Sequence, residues 1–244
     1  MKIKTITRTR HFKLIAVAAL ATAMAGITTP SAQGAITYLD VIVIDFGKDT
    51  DETSGNWNNI SGAASAGLGS AGELDPSLNR FSDNAETGVS LTVDADFNLD
   101  TGIGGLTATP ATVSFSSSGL IPDSAQVDVA YVNHDSVTYT FGGLNDNLSY
   151  NIELLSLVDV ALARDSTDVT IGGVTLTIDP NDGLVHSFDD LTSIGGEITI
   201  SFSGTGDGSE LFHINALELT AVPEPSSTAL LGLGLSSLLL RRRR

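Results

Sequence analysis

The chain has 244 residues, with 29 acidic against 12 basic side chains, a net charge of −17 and no cysteine. The lack of thiols excludes disulfides, thiol catalysis and cysteine-ligated zinc, so stability has to come from an apolar core, from metal, or from both. Nine of the basic residues lie in 1–34 and 226–244, which leaves Lys48, Arg80 and Arg164 against every carboxylate and a charge of −26 on the stretch between. Such a surface repels nucleic acid and anionic headgroups, and it suits high ionic strength or divalent cations.

The first segment reads as a cleavable signal peptide, 1–34. Lys2, Lys4, Arg8, Arg10 and Lys13 form a charged start, 14–24 is apolar, and Pro30 breaks the helix before Ala32-Gln33-Gly34. Small residues at −3 and −1 place cleavage before Ala35, with Ala23-Met24-Ala25 as the alternative. Sec-dependent export follows, so the Sec translocon is the first expected partner.

Residues 35–221 are expected to form one domain, since about 190 residues suffice for a sizeable single core. An apolar run at 36–46 predicts a largely buried strand. The stretch 47–88 is rich in Gly, Ser, Ala and Asn and holds the only Trp, in Asn56-Trp57-Asn58-Asn59. It is expected to be a long loop with one short helix near 75–81. Residues 89–99 alternate, with Leu91, Val93, Ala95, Phe97 and Leu99 on one face and Thr92, Asp94, Asp96 and Asn98 on the other. Further strands are predicted at 111–115, 125–132, 137–141, 150–160, 167–171, 174–178, 184–188, 196–203 and 211–221. Gly172-Gly173 between two of them has the form of a two-residue hairpin turn. Without a convincing helical period, the fold class is all-β, a jelly-roll-like sandwich.

Chemistry is sparsely signalled. His134, His186 and His213 each have Ser or Asp nearby, but no nucleophile elbow and no His-Glu-x-x-His helix accompany them. The chain is therefore expected not to be an enzyme. Asp94, Asp96, Asn98 and Asp100 recur every second residue. Along a flat strand that spacing is about 6.6 Å, too wide for one ion, so these oxygens could share Ca2+ only where the strand curls into Thr101-Gly102. Trp57 among asparagines is the one cluster suited to a sugar face, and it could equally plug the end of the sandwich.

The chain closes with Val222-Pro223-Glu224-Pro225-Ser226, a 15-residue apolar segment at 226–240 and four arginines. As a short hydrophobic helix this segment would reach only about 22 Å. A standard transmembrane helix needs about 20 residues. Transient inner-membrane insertion with the arginines on the cytoplasmic side fits that length.

This arrangement at 222–244 resembles a PEP-CTERM sorting signal of exported Gram-negative proteins. The resemblance implies recognition at Pro223, Glu224 and Pro225 by exosortase, a membrane cysteine protease, and a final place in the cell envelope, on the surface or in the extracellular matrix. A second resemblance, to galactose-binding-like and malectin-like sandwiches, is carried by several short motifs. These are Ile44-Asp45-Phe46-Gly47, Tyr139-Thr140-Phe141-Gly142-Gly143-Leu144 and the closing Phe212-His213-Ile214-Asn215-Ala216-Leu217-Glu218-Leu219. It implies the same fold and makes Glu218 a calcium candidate. The resulting expectation is a structural or adhesive surface protein. A carbohydrate-binding module for extracellular polysaccharide, using Trp57, is the alternative, and a hydrolase comes third.

Overall fold

The computed structural model describes residues 36–37, 39–48, 52–62, 68–69, 72–95, 97–100, 112–127, 129–132, 136–158, 166–204 and 212–223. The described residues all belong to one compact unit, Gln33–Arg244. The expected signal peptide, Glu224, Pro225 and the apolar segment at 226–240 lie outside them. Among the described residues no helix is long and apolar enough to cross a membrane.

In chain order the first elements are β1 (Val41–Lys48), β2 (Asn58–Gly62), β3 (Leu68–Gly69), β4 (Gly72–Asn79), β5 (Glu86–Val93) and β6 (Phe97–Asp100). A small hairpin, β7 (Ser114–Phe115) and β8 (Gly119–Leu120), leads into a one-turn helix, α1 (Ser124–Val127). Then come β9 (Val129–Val132), β10 (Ser136–Gly142), β11 (Leu148–Leu155), β12 (Thr167–Ile171) and β13 (Val174–Ile178). The last four are β14 (Val185–Thr192), β15 (Ile198–Gly204), β16 (Phe212–Ile214) and β17 (Ala216–Pro223).

Two sheets make the sandwich. One runs β14-β11-β17-β1-β2 and the other β13-β12-β15-β10-β5-β4, while β16-β9-β6-β3 forms a smaller third sheet. Alternation decides which side chains meet. Ile42, Ile44 and Phe46 of β1, Leu217 and Leu219 of β17, and Tyr150, Ile152 and Leu154 of β11 turn inward. They meet Leu91, Val93, Tyr139, Phe141, Ile200 and Phe202 from the facing sheet. Tyr139 sits at the centre, edge-on to Phe46 at 5.8 Å and to Phe202 at 5.7 Å, a geometry that aligns ring edges with ring faces.

The all-β, jelly-roll-like reading holds, and the Gly172-Gly173 hairpin forms as read. Ile171 pairs with Val174, and both glycines have positive φ, 58° and 82°, as a two-residue turn of this twist requires. A tighter constraint falls on Gly143, at φ 75°, where an added Cβ would run into the carbonyl oxygen of Gly88.

Several expectations are corrected. The strand expected at 125–132 opens as helix α1, with only Val129–Val132 extended, and the loop expected at 47–88 holds β2, β3 and β4. Residues 72–79 form a strand, not a helix. β4 pairs with β5 through three register shifts, and Pro76 is tolerated because β4 is the outermost strand of its sheet. The alternating stretch 89–99 is two strands. β5 pairs with β10 and β4, whereas β6 pairs with β9 and β3 in a different sheet. The break comes at Asp94, whose N–H donates to the Thr138 carbonyl (3.0 Å) while its Oδ1 accepts the Thr138 N–H (2.7 Å). That exchange ends the ladder and lets the chain change sheets.

Candidate functional site

The outward face of the five-stranded sheet carries the buried Asp45, Glu153, Glu218 and Thr220, and a strap made of residues 112–127 packs over it. Beneath the strap Val43, Leu155 and Ala216 project from the sheet. Trp57, Phe115, Ile121 and Ala125 pack on them as a second apolar cluster. Trp57 is only 9% exposed, and its ring lies 6.5 Å from Phe81, edge-on, and 6.4 Å from Phe115.

The neighbouring asparagines are committed to the fold. Asn58 donates from Nδ2 to the carbonyls of Val43 and Asn79, both at 2.9 Å, and accepts the Asn79 N–H at 2.7 Å. Asn56 donates to the Phe81 carbonyl at 2.7 Å. Asn59 accepts the Thr53 N–H at 2.9 Å. The side chains of Asn56, Asn58 and Asn59 thus bond to the chain's own backbone, and the Trp57 ring is largely enclosed.

Two carboxylates lie under the strap tip. Glu153 of β11 and Glu218 of β17 are direct cross-strand partners, and both are buried. Like charges in this position repel. The tip supplies the compensation. Ser116 donates its N–H (2.6 Å) and its hydroxyl to Glu153, while the N–H groups of Ser117 (3.1 Å) and Ser118 (2.7 Å) donate to the two oxygens of Glu218. The Thr220 hydroxyl closes the ring, 3.0 Å from Ser117 Oγ and 3.3 Å from Glu218 Oε1.

The far end of the strap is held similarly. Asp45, buried on β1, accepts the Thr53 N–H at 2.9 Å, and the Thr53 hydroxyl shares a 2.6 Å hydrogen bond with Ser124. Asn215, fully buried between β16 and β17, donates to the Gln126 carbonyl at 3.2 Å and accepts the Leu157 N–H at 2.6 Å.

Of the named calcium candidates, Asp94, Asp100 and Glu218 belong to three different sheets. Asp94 is exposed at the end of β5 in the six-stranded sheet, and Asp96 lies outside the described residues. Asp100 ends β6 in the third sheet, and Glu218 faces outward from the five-stranded sheet. No cluster of three or more metal-ligating side chains occurs among the described residues. Of the histidines, His213 is buried on β16, and His134 lies outside the described residues. His186 Nε2 is 3.4 Å from Asp182, while the Ser187 hydroxyl donates to Asp189 at 2.8 Å. Adjacent strand residues point to opposite faces, so His186 and Ser187 diverge.

Glu153, Asp45 and the Asp40–Arg80 pair were not singled out from sequence. Asp40 accepts the Thr37 N–H (2.6 Å) and hydroxyl (2.9 Å), and Arg80 Nε reaches its other oxygen at 3.1 Å. The signal for Glu153 was present only in combination, as one acidic residue in an apolar strand and a run of three serines elsewhere.

One exposed carboxylate carries a pH signature. Asp146 accepts hydrogen bonds from the Ser193 hydroxyl (2.6 Å) and from the N–H groups of Gly196 (2.8 Å) and Gly195 (3.1 Å). These bonds, the Ser193 one foremost, hold its pKa below the ordinary 3.8. A lowered folded-state pKa contributes stability above the unfolded value and loses it as pH falls toward the folded one. Asp146→Asn is thus expected to flatten the acid limb of stability below about pH 4. Urea midpoints between pH 2.5 and 6 check this, and parallel curves for the two proteins would refute it.

The sorting residues complete the picture. Pro223 is the last residue of β17 and pairs with Leu148 of β11. The motif thus begins within the sheet, with no linker between them.

Comparison with solved structures returns chains of low identity. The crystal structure of the plant receptor-like kinase FER is 16% identical with a TM-score of 0.44, over 77% of this chain and 43% of that one. The ANXUR2 extracellular domain from Arabidopsis thaliana is 14% identical with a TM-score of 0.39, over 77% and 49%. The CBM36-1 domain of a multidomain xylanase from the Trinervitermes trinervoides hindgut metagenome is 14% identical with a TM-score of 0.26, over 50% and 95%. The chain thus spans less than half the length of the two plant proteins. No curated protein sequence matches it. Residues 221–244 match the PEP-CTERM protein-sorting motif, which marks an exported protein of Gram-negative bacteria that exosortase processes.

Proposed function

We propose that this protein is a structural component of the cell surface or its polysaccharide matrix, exported through the Sec translocon and released to its place by exosortase. The observation that carries this reading is the sorting motif at 221–244 continuing directly from β17 of an acidic sandwich. The polar groups under the strap support a non-enzymatic role, because they spend their hydrogen bonds on holding the fold together. A carbohydrate-binding module built on Trp57 is less favoured, since stacking on a sugar needs an exposed ring face and this ring is enclosed. Replacing Pro223, Glu224 and Pro225 together with alanine is expected to abolish the matrix-associated form and leave an uncleaved, membrane-associated chain. Fractionation with immunoblotting reads this directly, and unchanged partitioning would sink the reading.

Calcium belongs to this proposal as a diffuse counter-ion to the 29 carboxylates, not as a ligand of Glu218, whose two oxygens are already taken by the strap. Melting temperature is therefore expected to rise by similar amounts in CaCl2 and NaCl at matched ionic strength. A chelator-reversible rise specific to calcium would contradict it.

A further inference from the structure

We propose that the end of β17 straps down the sorting motif, so that exosortase takes Pro223 only after this end peels away from β11. The inference rests on the exosortase reading above and adds an order of events to it. β17 lies between β11 and β1, paired on both edges. On one side the register runs Tyr150↔Ala221, Ser149↔Val222 and Leu148↔Pro223. On the other, the Ala221 carbonyl accepts the Leu39 N–H at 3.0 Å and the Ala221 N–H donates to the Asp40 carbonyl at 2.9 Å. The 39–40 turn that makes these bonds is itself anchored, because the Asp40 carboxylate is held by Thr37 and Arg80. Residues 221–223 therefore belong both to a closed ladder and to the matched sorting segment.

A protease needs substrate backbone free of other partners, so susceptibility follows the burial and hydrogen bonding of the segment rather than its sequence position. Ala221 is fully buried and Val222 half-buried, so the folded sandwich withholds this edge of the motif. Pro223 has no N–H to give the ladder, which makes the last pair the natural place for opening to start. When opening is fast relative to cleavage, the cleavage rate follows the population of the open form. Processing should then slow whenever the strand end is locked and quicken whenever the motif is detached from it.

The test uses the full chain in membranes carrying exosortase, with the C-terminal mass followed over time. Ser149 and Val222 face each other across the ladder. Antiparallel partners of this kind have Cα atoms about 4.5–5.5 Å apart, within disulfide range. As the chain has no cysteine of its own, Ser149→Cys/Val222→Cys creates a single defined lock. The oxidised variant is expected to be processed roughly tenfold more slowly than the same variant after reduction, each rate being taken relative to wild type under the same redox condition, which cancels the effect of reductant on the protease thiol. Inserting a six-residue Gly-Ser spacer between Val222 and Pro223 is expected to raise the rate severalfold, and this arm does not depend on the double-cysteine variant folding. Equal rates in the two redox states, or no change with the spacer, would overturn the proposal while leaving sorting intact. A wild-type chain that is never cleaved would overturn both.

Discussion

Trp57→Ala is expected to lower the unfolding free energy by about 3–5 kcal/mol, the range for removing a large buried aromatic. The loss combines the transfer energy of the indole with a cavity bounded by Phe81 and Phe115, whose contacts with the ring would vanish together. Little can collapse to fill it. Asn56 is fixed to Phe81, and Asn58 to Val43 and Asn79, so the chain around position 57 is pinned on both sides. For a domain of ordinary stability this is a large part of the total. Trp57→Phe should recover more than half of the loss because it keeps an aromatic wedge. Urea denaturation of the three proteins checks this. A Trp57→Ala protein within about 1 kcal/mol of wild type would show that the ring is dispensable to the fold, as a surface residue would be.

Glu218→Ala is expected to cost about 3 kcal/mol, since it removes a charged acceptor shared by two backbone N–H groups. Relief of repulsion with Glu153 offsets part of the loss. Glu218→Gln should cost less, because one oxygen still accepts a strap N–H and the like-charge contact is gone. The strap should also loosen selectively. Amide exchange at 116–118 is expected to speed up in Glu218→Ala before exchange in β10 or β15 changes. Uniform acceleration across both sheets would instead mean that Glu218 supports the whole sandwich equally.

The parts legible in the sequence were those with a local chemical rule. Gly172-Gly173 determines a two-residue hairpin by itself, and the alternation from Val89 to Val93 identifies the face that meets Tyr139. The sorting tail is legible because its recognition is written in contiguous residues. Where partners are distant in the chain, no local rule marks them. Nothing local distinguishes the alternation at 89–93 from its apparent continuation at 97–99, because the change of sheet is made by Asp94 with Thr138, 44 residues on. Residues 72–79 carry a proline, and only their position at a sheet edge makes that acceptable. Glu153 and Glu218 look like solvent-facing positions on strands with one apolar face. Their burial depends on a serine hairpin 37 residues before one and 100 before the other. Trp57 had two readings from composition, and the rings of Phe81 and Phe115 place it inside.

The C-terminal mass of the protein isolated from the cell surface or matrix tests the central claim most directly. Exosortase sorting predicts a chain that ends close to Pro223, Glu224 and Pro225 and lacks the apolar segment and its arginines. A surface form still ending in Arg244 would contradict it.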